Sequence, residues 1–145
     1  MDIHKVDAAA YEPMLALEKY VHSGTLGDDL ISLVKHRASQ VNGCAYCLNM
    51  HGAEARKAGV DQQRIDVLAG WWEAPDLYTA RERAALAFTE EVTNISEGGV
   101  SDETWQEVAA EFSEKETVEL LMAIGAINVW NRMAITTHMK VAKTK

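Results

Sequence analysis

The chain is poor in residues that interrupt or staple a fold: two prolines, two cysteines and two phenylalanines in 145 residues. With only Pro13 and Pro75 present, helices can run without interruption, and no Pro- or Ser-rich linker divides the chain. Two cysteines are too few for a disulfide scaffold, and no second cysteine pair is available to complete a four-coordinate structural zinc site. Basic residues are the minority, 14 against 22 acidic, giving a net charge of −8. No lysine- or arginine-rich run could follow a phosphate backbone, so nucleic acid is not an expected partner. No unbroken apolar run reaches the roughly eighteen residues of a membrane span, and Met1–Asp7 has neither the basic flank nor the apolar stretch of a signal peptide. A membrane is therefore not expected as a partner, and the expected location is cytoplasmic.

Strict alternation of apolar and polar residues is missing too, while alanine, leucine, glutamate and lysine are abundant. That composition, with 48% hydrophobic residues, predicts an all-α fold with a substantial core in a single domain, 1–145. Residues 8–21 read as a helix with Pro13 near its start, and residues 28–42 as a helix opened by Asp28 and Asp29 and closed at Asn42-Gly43. A third runs from Cys44 to about Ala58, and Asp61 caps a short one carrying Ile65, Val67 and Leu68. Thr79-x-x-Glu82 and Ser113-x-x-Glu116 are capping boxes. The first opens a helix towards Ile95, and the second a long apolar helix towards His138 with a core face and a subunit-contact face. Between them Ser101 or Asp102 starts a helix ending near Phe112. Trp71 and Trp72 read as core or subunit-contact residues, and Asn128, Asn131 and Arg132 as hydrogen-bonding groups between helices. His4, His22 and His138 read as ordinary surface residues, whereas His36 is equally a surface or a site residue.

The chemistry is concentrated in Ser39–His51, which holds both cysteines as Cys44-x-x-Cys47 and a histidine four residues later. On a helix, Cys44, Cys47 and His51 form one row. Residues i and i+3 are close enough for a disulfide to close and open with little backbone movement. A helix N-terminus favours thiolate, and His51 can take the thiol proton. In a reducing compartment this pattern points to catalysis or redox sensing, against which stand a partial zinc site and two cysteines merely packed in the core.

Leu33–Cys47 with Met50-His51, Arg81–Ala87 and Ile127–Arg132 resemble the AhpD-like alkylhydroperoxidases of the carboxymuconolactone decarboxylase superfamily. The resemblance implies a bundle of about six to seven helices assembling into a homo-oligomer, a trimer or a hexamer; no cofactor is expected. It also implies a dithiol peroxidase in which Cys47 attacks a hydroperoxide and Cys44 resolves the sulfenic acid to a disulfide. His51 belongs to the proton relay, and a lipoyl or thioredoxin-like dithiol reduces the disulfide. The chain departs from the pattern at Ser32, where the family carries a relay glutamate, and at Tyr46, where some members carry histidine. The relay is then expected to use Ser32 with water, His36, Tyr46, or Asp28 or Asp29. Two other functions fit the same scaffold: decarboxylase or lactone chemistry independent of the cysteines, and a redox-sensing module without turnover.

Overall fold

Capping residues set most of the helix boundaries. In the computed structural model, which describes residues 1–143, Asp2 caps α1 (Ile3–Val6), and a single 3₁₀ turn at Ala8–Ala10 leads into α2 (Glu12–Ser23). Pro13 lies in the first turn of α2, where its missing N–H costs nothing. Helix α3 (Asp28–Asn42) ends at Gly43, whose φ of 69° is a left-handed conformation that glycine adopts without a Cβ clash. Then follow α4 (Ala45–Lys57), α5 (Gln62–Asp66, capped by Asp61), α6 (Ala80–Thr93), α7 (Asp102–Glu111, capped by Ser101) and α8 (Glu114–Thr136). Both capping boxes form as read, Thr79 with Glu82 and Ser113 with Glu116. The short helix expected to carry Leu68 stops at Asp66, and 3₁₀ turns occupy Leu68–Glu73 and Pro75–Leu77, placing buried Leu68 and Trp71 against the core. Helix α6 closes at Thr93, two residues before the expected Ile95.

Helix α3 is the centre of the bundle and packs against α4, α6 and α8. Nine of its 15 residues are buried, including Ser32, Lys35, His36 and Ser39 on the side that its sequence pattern leaves polar. A helix covered all round must satisfy those polar groups inside the protein. Ser39 does so by donating to the Lys35 carbonyl while accepting from Asn131 Nδ2 at 3.1 Å. Asn42 Nδ2 donates to Asn128 and Asn131, so the asparagines of α8 bond between helices, as expected. Above this seam Val21, Leu30, Val34, Phe88, Leu120 and Ile124 form one apolar cluster, and Leu33, Leu68, Trp71 and Leu86 a second. Below it Ala38, Cys44, Cys47, Ile127 and Ala134 form a third.

Helix α8, with a window of mean hydropathy 1.2, is apolar and long enough to meet the composition of a membrane span, which no unbroken apolar run does. One of its faces supplies Leu120, Ala123, Ile124 and Ile127 to the core. The other exposes Val118, Leu121, Met122 and Val129.

Candidate active site

The turn at Gly43 delivers Cys44 to the N-cap of α4, where its Sγ accepts a hydrogen bond from the Cys47 N–H at 3.3 Å. The two Cα atoms are 5.3 Å apart and the sulfurs lie at disulfide distance, so the pair closes without moving the helix. Both cysteines are buried. Their position in the first turn of α4 places them beside free N–H groups and the positive end of the helix dipole, which favours thiolate when the pair is reduced.

His51 follows one turn later, buried, and donates Nδ1–H to Glu54 Oε2 at 2.7 Å. This hydrogen bond holds the Glu54 carboxyl below its usual range, so the acceptor is charged. With Nδ1 committed, Nε2 carries the lone pair; it is buried and has no hydrogen-bond partner. Cys47, His51 and Glu54 thus stand along one face of α4 as nucleophile, base and orienting acid. Glu54 was missed in the sequence, although it extends the row of Cys44, Cys47 and His51 by one further step.

Over Cys47 lies a cavity of about 280 Å³ walled by Tyr11, Tyr46, Met50, Trp130 and Met139, with His51 and Glu54 on one side. Glu18, His22 and Lys35 border the same cavity. Lys35 is 2% exposed and forms an ion pair with Glu18 of α2. The other Glu18 oxygen accepts from Trp130 Nε1 at 2.9 Å. Burial of a lysine requires such a partner. No local pattern in the chain announces the pair, because the partner is 17 residues away on another helix. His22 is exposed, as read, and also borders this cavity.

The remaining relay candidates are spread over several places. Ser32 Oγ donates to the Asp29 carbonyl of its own helix at 2.8 Å, and Ser32 lines an outer cleft of about 300 Å³ with Asp28, Lys57, His22 and Glu54. His36 is buried, with Nδ1 unpartnered, so it is not the solvated histidine that half of the sequence reading allowed. Burial, helped by the charges of His51 and Arg56, pushes its pKa down to about 4. Tyr46 borders the Cys47 cavity and also a smaller cleft of about 200 Å³ that opens on Cys44. Ile135, Met139 and His138 also line that cleft, and His138 is exposed, as read. Among the described residues no group of three or more His, Cys, Asp or Glu is placed to hold a metal ion.

This arrangement can be set beside known proteins. Residues 8–91 match the carboxymuconolactone decarboxylase family. Uncharacterized protein YdfG of Bacillus subtilis (strain 168) is 39% identical over 129 residues, covering 89% of this chain and 87% of that protein. A crystal structure of a protein of unknown function from Agrobacterium tumefaciens, described as a candidate antioxidant defence protein AhpD, superposes with a TM-score of 0.95 at 40% identity over 99% of this chain and 98% of that one. The debrominase Bmp8, in complex with 2,3,4-tribromopyrrole, shares the fold at TM-score 0.83 and 21% identity, over 95% of this chain and 74% of that one. By the match over most of its length and by its near-superposable bundle, the chain belongs to the carboxymuconolactone decarboxylase family and has the AhpD-like all-α fold.

Proposed function

We propose that the protein is a thiol-dependent peroxidase and disulfide reductase acting on organic hydroperoxides. The observation that carries this reading is the Cys44–Cys47 pair at disulfide distance, with Cys47 on the floor of an apolar cavity beside a histidine whose free nitrogen is fixed by Glu54. His51 Nε2 takes the Cys47 proton. The thiolate attacks the terminal peroxide oxygen, the O–O bond breaks, and Cys47 becomes a sulfenic acid while an alcohol departs. Cys44, held as an N-cap thiolate, attacks the sulfenic sulfur and expels hydroxide, which leaves as water once protonated; the disulfide results.

An external dithiol, lipoyl or thioredoxin-like, resets the enzyme by exchange through a mixed disulfide. The cleft that opens on Cys44 supports an approach separate from that of the peroxide. We further propose a cytoplasmic homo-oligomer, a trimer or hexamer, for which the exposed apolar residues of α8 speak.

The test is stoichiometric. Reduced protein receives one equivalent of cumene hydroperoxide, and free thiols and intact mass are followed for wild type, Cys44→Ser and Cys47→Ser. The peroxidase reading expects rapid loss of both thiols in wild type and a trapped sulfenic acid only in Cys44→Ser. Thiols that stay reduced overturn it. An activity of the decarboxylase or lactone type that survives Cys47→Ser would replace it, and an oxidation-dependent change of assembly without turnover would favour the sensor.

A further inference from the structure

Attack on a hydroperoxide needs a proton for the departing alkoxide, and the cavity over Cys47 is walled largely by apolar and aromatic side chains. Ser32 cannot supply it directly, because its hydroxyl is turned onto its own helix and it faces the outer cleft. The wall between that cleft and the cavity contains a graded chain of ionisable groups. Asp28 is exposed and accepts from His22 Nδ1 at 3.0 Å. The other ring nitrogen of His22 lies 3.4 Å from Glu18 Oε2 and 3.5 Å from Lys35 Nζ. Side-chain exposure falls along the chain from 73% at Asp28 to 44% at His22, 22% at Glu18 and 2% at Lys35. His22 borders both spaces, whereas Glu18 and Lys35 border only the inner one.

A histidine with one nitrogen towards solvent and the other towards a buried ammonium can take a proton at one and release it at the other. Resting on the peroxidase reading above, we propose that Asp28, His22, Glu18 and Lys35 form a proton-supply path from the outer cleft to the Cys47 cavity, with Lys35 as the acid that protonates the departing alkoxide. When the Cys47 thiolate attacks, the S–O bond forms as the O–O bond breaks, and the alkoxide takes a proton from the Lys35 ammonium. An alkoxide is far more basic than an amine, so this transfer runs downhill. Lys35 regains its proton from His22, and His22 regains one from solvent on the Asp28 side. Glu18 is a positioning residue: held by Trp130, it pairs with Lys35 and aims it while the path is at rest. His51 and Glu54 face the cavity from α4, α8 contributes only the neutral Trp130 and Ala134, and Met139 lies beyond the end of α8. The path therefore runs between α2 and α3, and the thiol's base and the alcohol's acid are different groups.

The test separates the peroxide step from thiolate formation. In the reduced Cys44→Ser background, sulfenic acid formation with cumene hydroperoxide and alkylation by iodoacetamide are timed across pH 5–9 (an assay window of about four units spanning histidine titration). Alkylation needs the same thiolate and no proton donor. The variants are His22→Asn, at a half-exposed position, and the double change Glu18→Gln with Lys35→Met, which leaves no buried charge unpaired. The path expects the peroxide rate to fall about a hundredfold in the double variant and about tenfold in His22→Asn, with alkylation within about twofold of the parent. It also expects added imidazole to restore His22→Asn. Peroxide and alkylation rates that fall together, or a His22→Asn rate equal to the parent, overturn the path and leave the peroxidase standing. A parent that does not react with the hydroperoxide at all overturns the peroxidase reading, and the path with it.

Discussion

At the scale of the residue, two buried histidines on neighbouring helices have been given opposite conditions. His51 has a carboxylate to orient it, while His36 has burial and neighbouring positive charge. His36 therefore stays neutral in the folded protein down to about pH 4, against an ordinary value of 6.5. Between those values the unfolded chain binds a proton that the folded one refuses, so stability is full above the ordinary value and declines as pH falls. The expected loss from this residue between pH 7.5 and pH 5 is about 2 kcal/mol. Urea unfolding of wild type and His36→Leu at both pH values checks it: the variant should show a shallower pH dependence by that amount, and parallel behaviour would refute it. Glu54 has the opposite role, keeping the proton of His51 on Nδ1. Glu54→Gln still accepts that hydrogen bond but no longer supports a positive imidazole, so iodoacetamide alkylation of Cys47 at neutral pH should slow about tenfold. An unchanged rate would show that the contact merely decorates the surface. His51 was legible from its spacing to the cysteines and Glu54 could have been, since both lie on one helix. Lys35 and Glu18 were not, because their meeting depends on where the packing of α2 on α8 places Glu18 relative to α3.

At the scale of the element, local and tertiary interactions make separable contributions. The Ser113 capping box closes two N–H groups at the start of α8, and Ser113→Ala is expected to cost about 1 kcal/mol. Asn131 is buried in the α3–α8 seam, accepting from Asn42 and donating to Ser39. Asn131→Ala strands those partners away from water and is expected to cost about 2–3 kcal/mol. Equilibrium unfolding of both variants tests the order, and a cap that outweighs the seam would contradict it. Both capping boxes and the cap at Asp61 were legible, since they depend on residues within one turn. The break after Asp66 was not, because Leu68 and Trp71 are drawn to the core at Leu33 and Leu86 and leave helical register to reach it.

At the scale of the whole molecule, α8 presents apolar residues on both sides. Val118, Leu121, Met122 and Val129 recur at helical spacing and are between 38% and 51% exposed. Covering such a stripe with a second copy of the chain would remove it from water at roughly 25 cal/mol per Å². Sedimentation equilibrium is expected to give three or six times the chain mass for wild type, and a smaller species for Leu121→Glu with Val129→Glu. A wild type of single-chain mass would overturn the assembly. The same stripe explains why hydropathy marks α8 as a membrane-span composition: one face serves the core, and the other is apolar and exposed.

The sequence by itself determined the helical class, most helix starts and the row of Cys44, Cys47 and His51, because caps, periodicity and i to i+4 spacing act within a turn or two of chain. Only the tertiary structure decided which polar groups are buried. Burial turned Ser32 away from the cysteines, kept His36 neutral, and brought Glu18, His22 and Lys35 to the wall of the Cys47 cavity. Those outcomes depend on the packing of α4 and α8 against α3 and of α2 against α8, which is set by the shapes of side chains far apart in sequence and packed at close to crystal density.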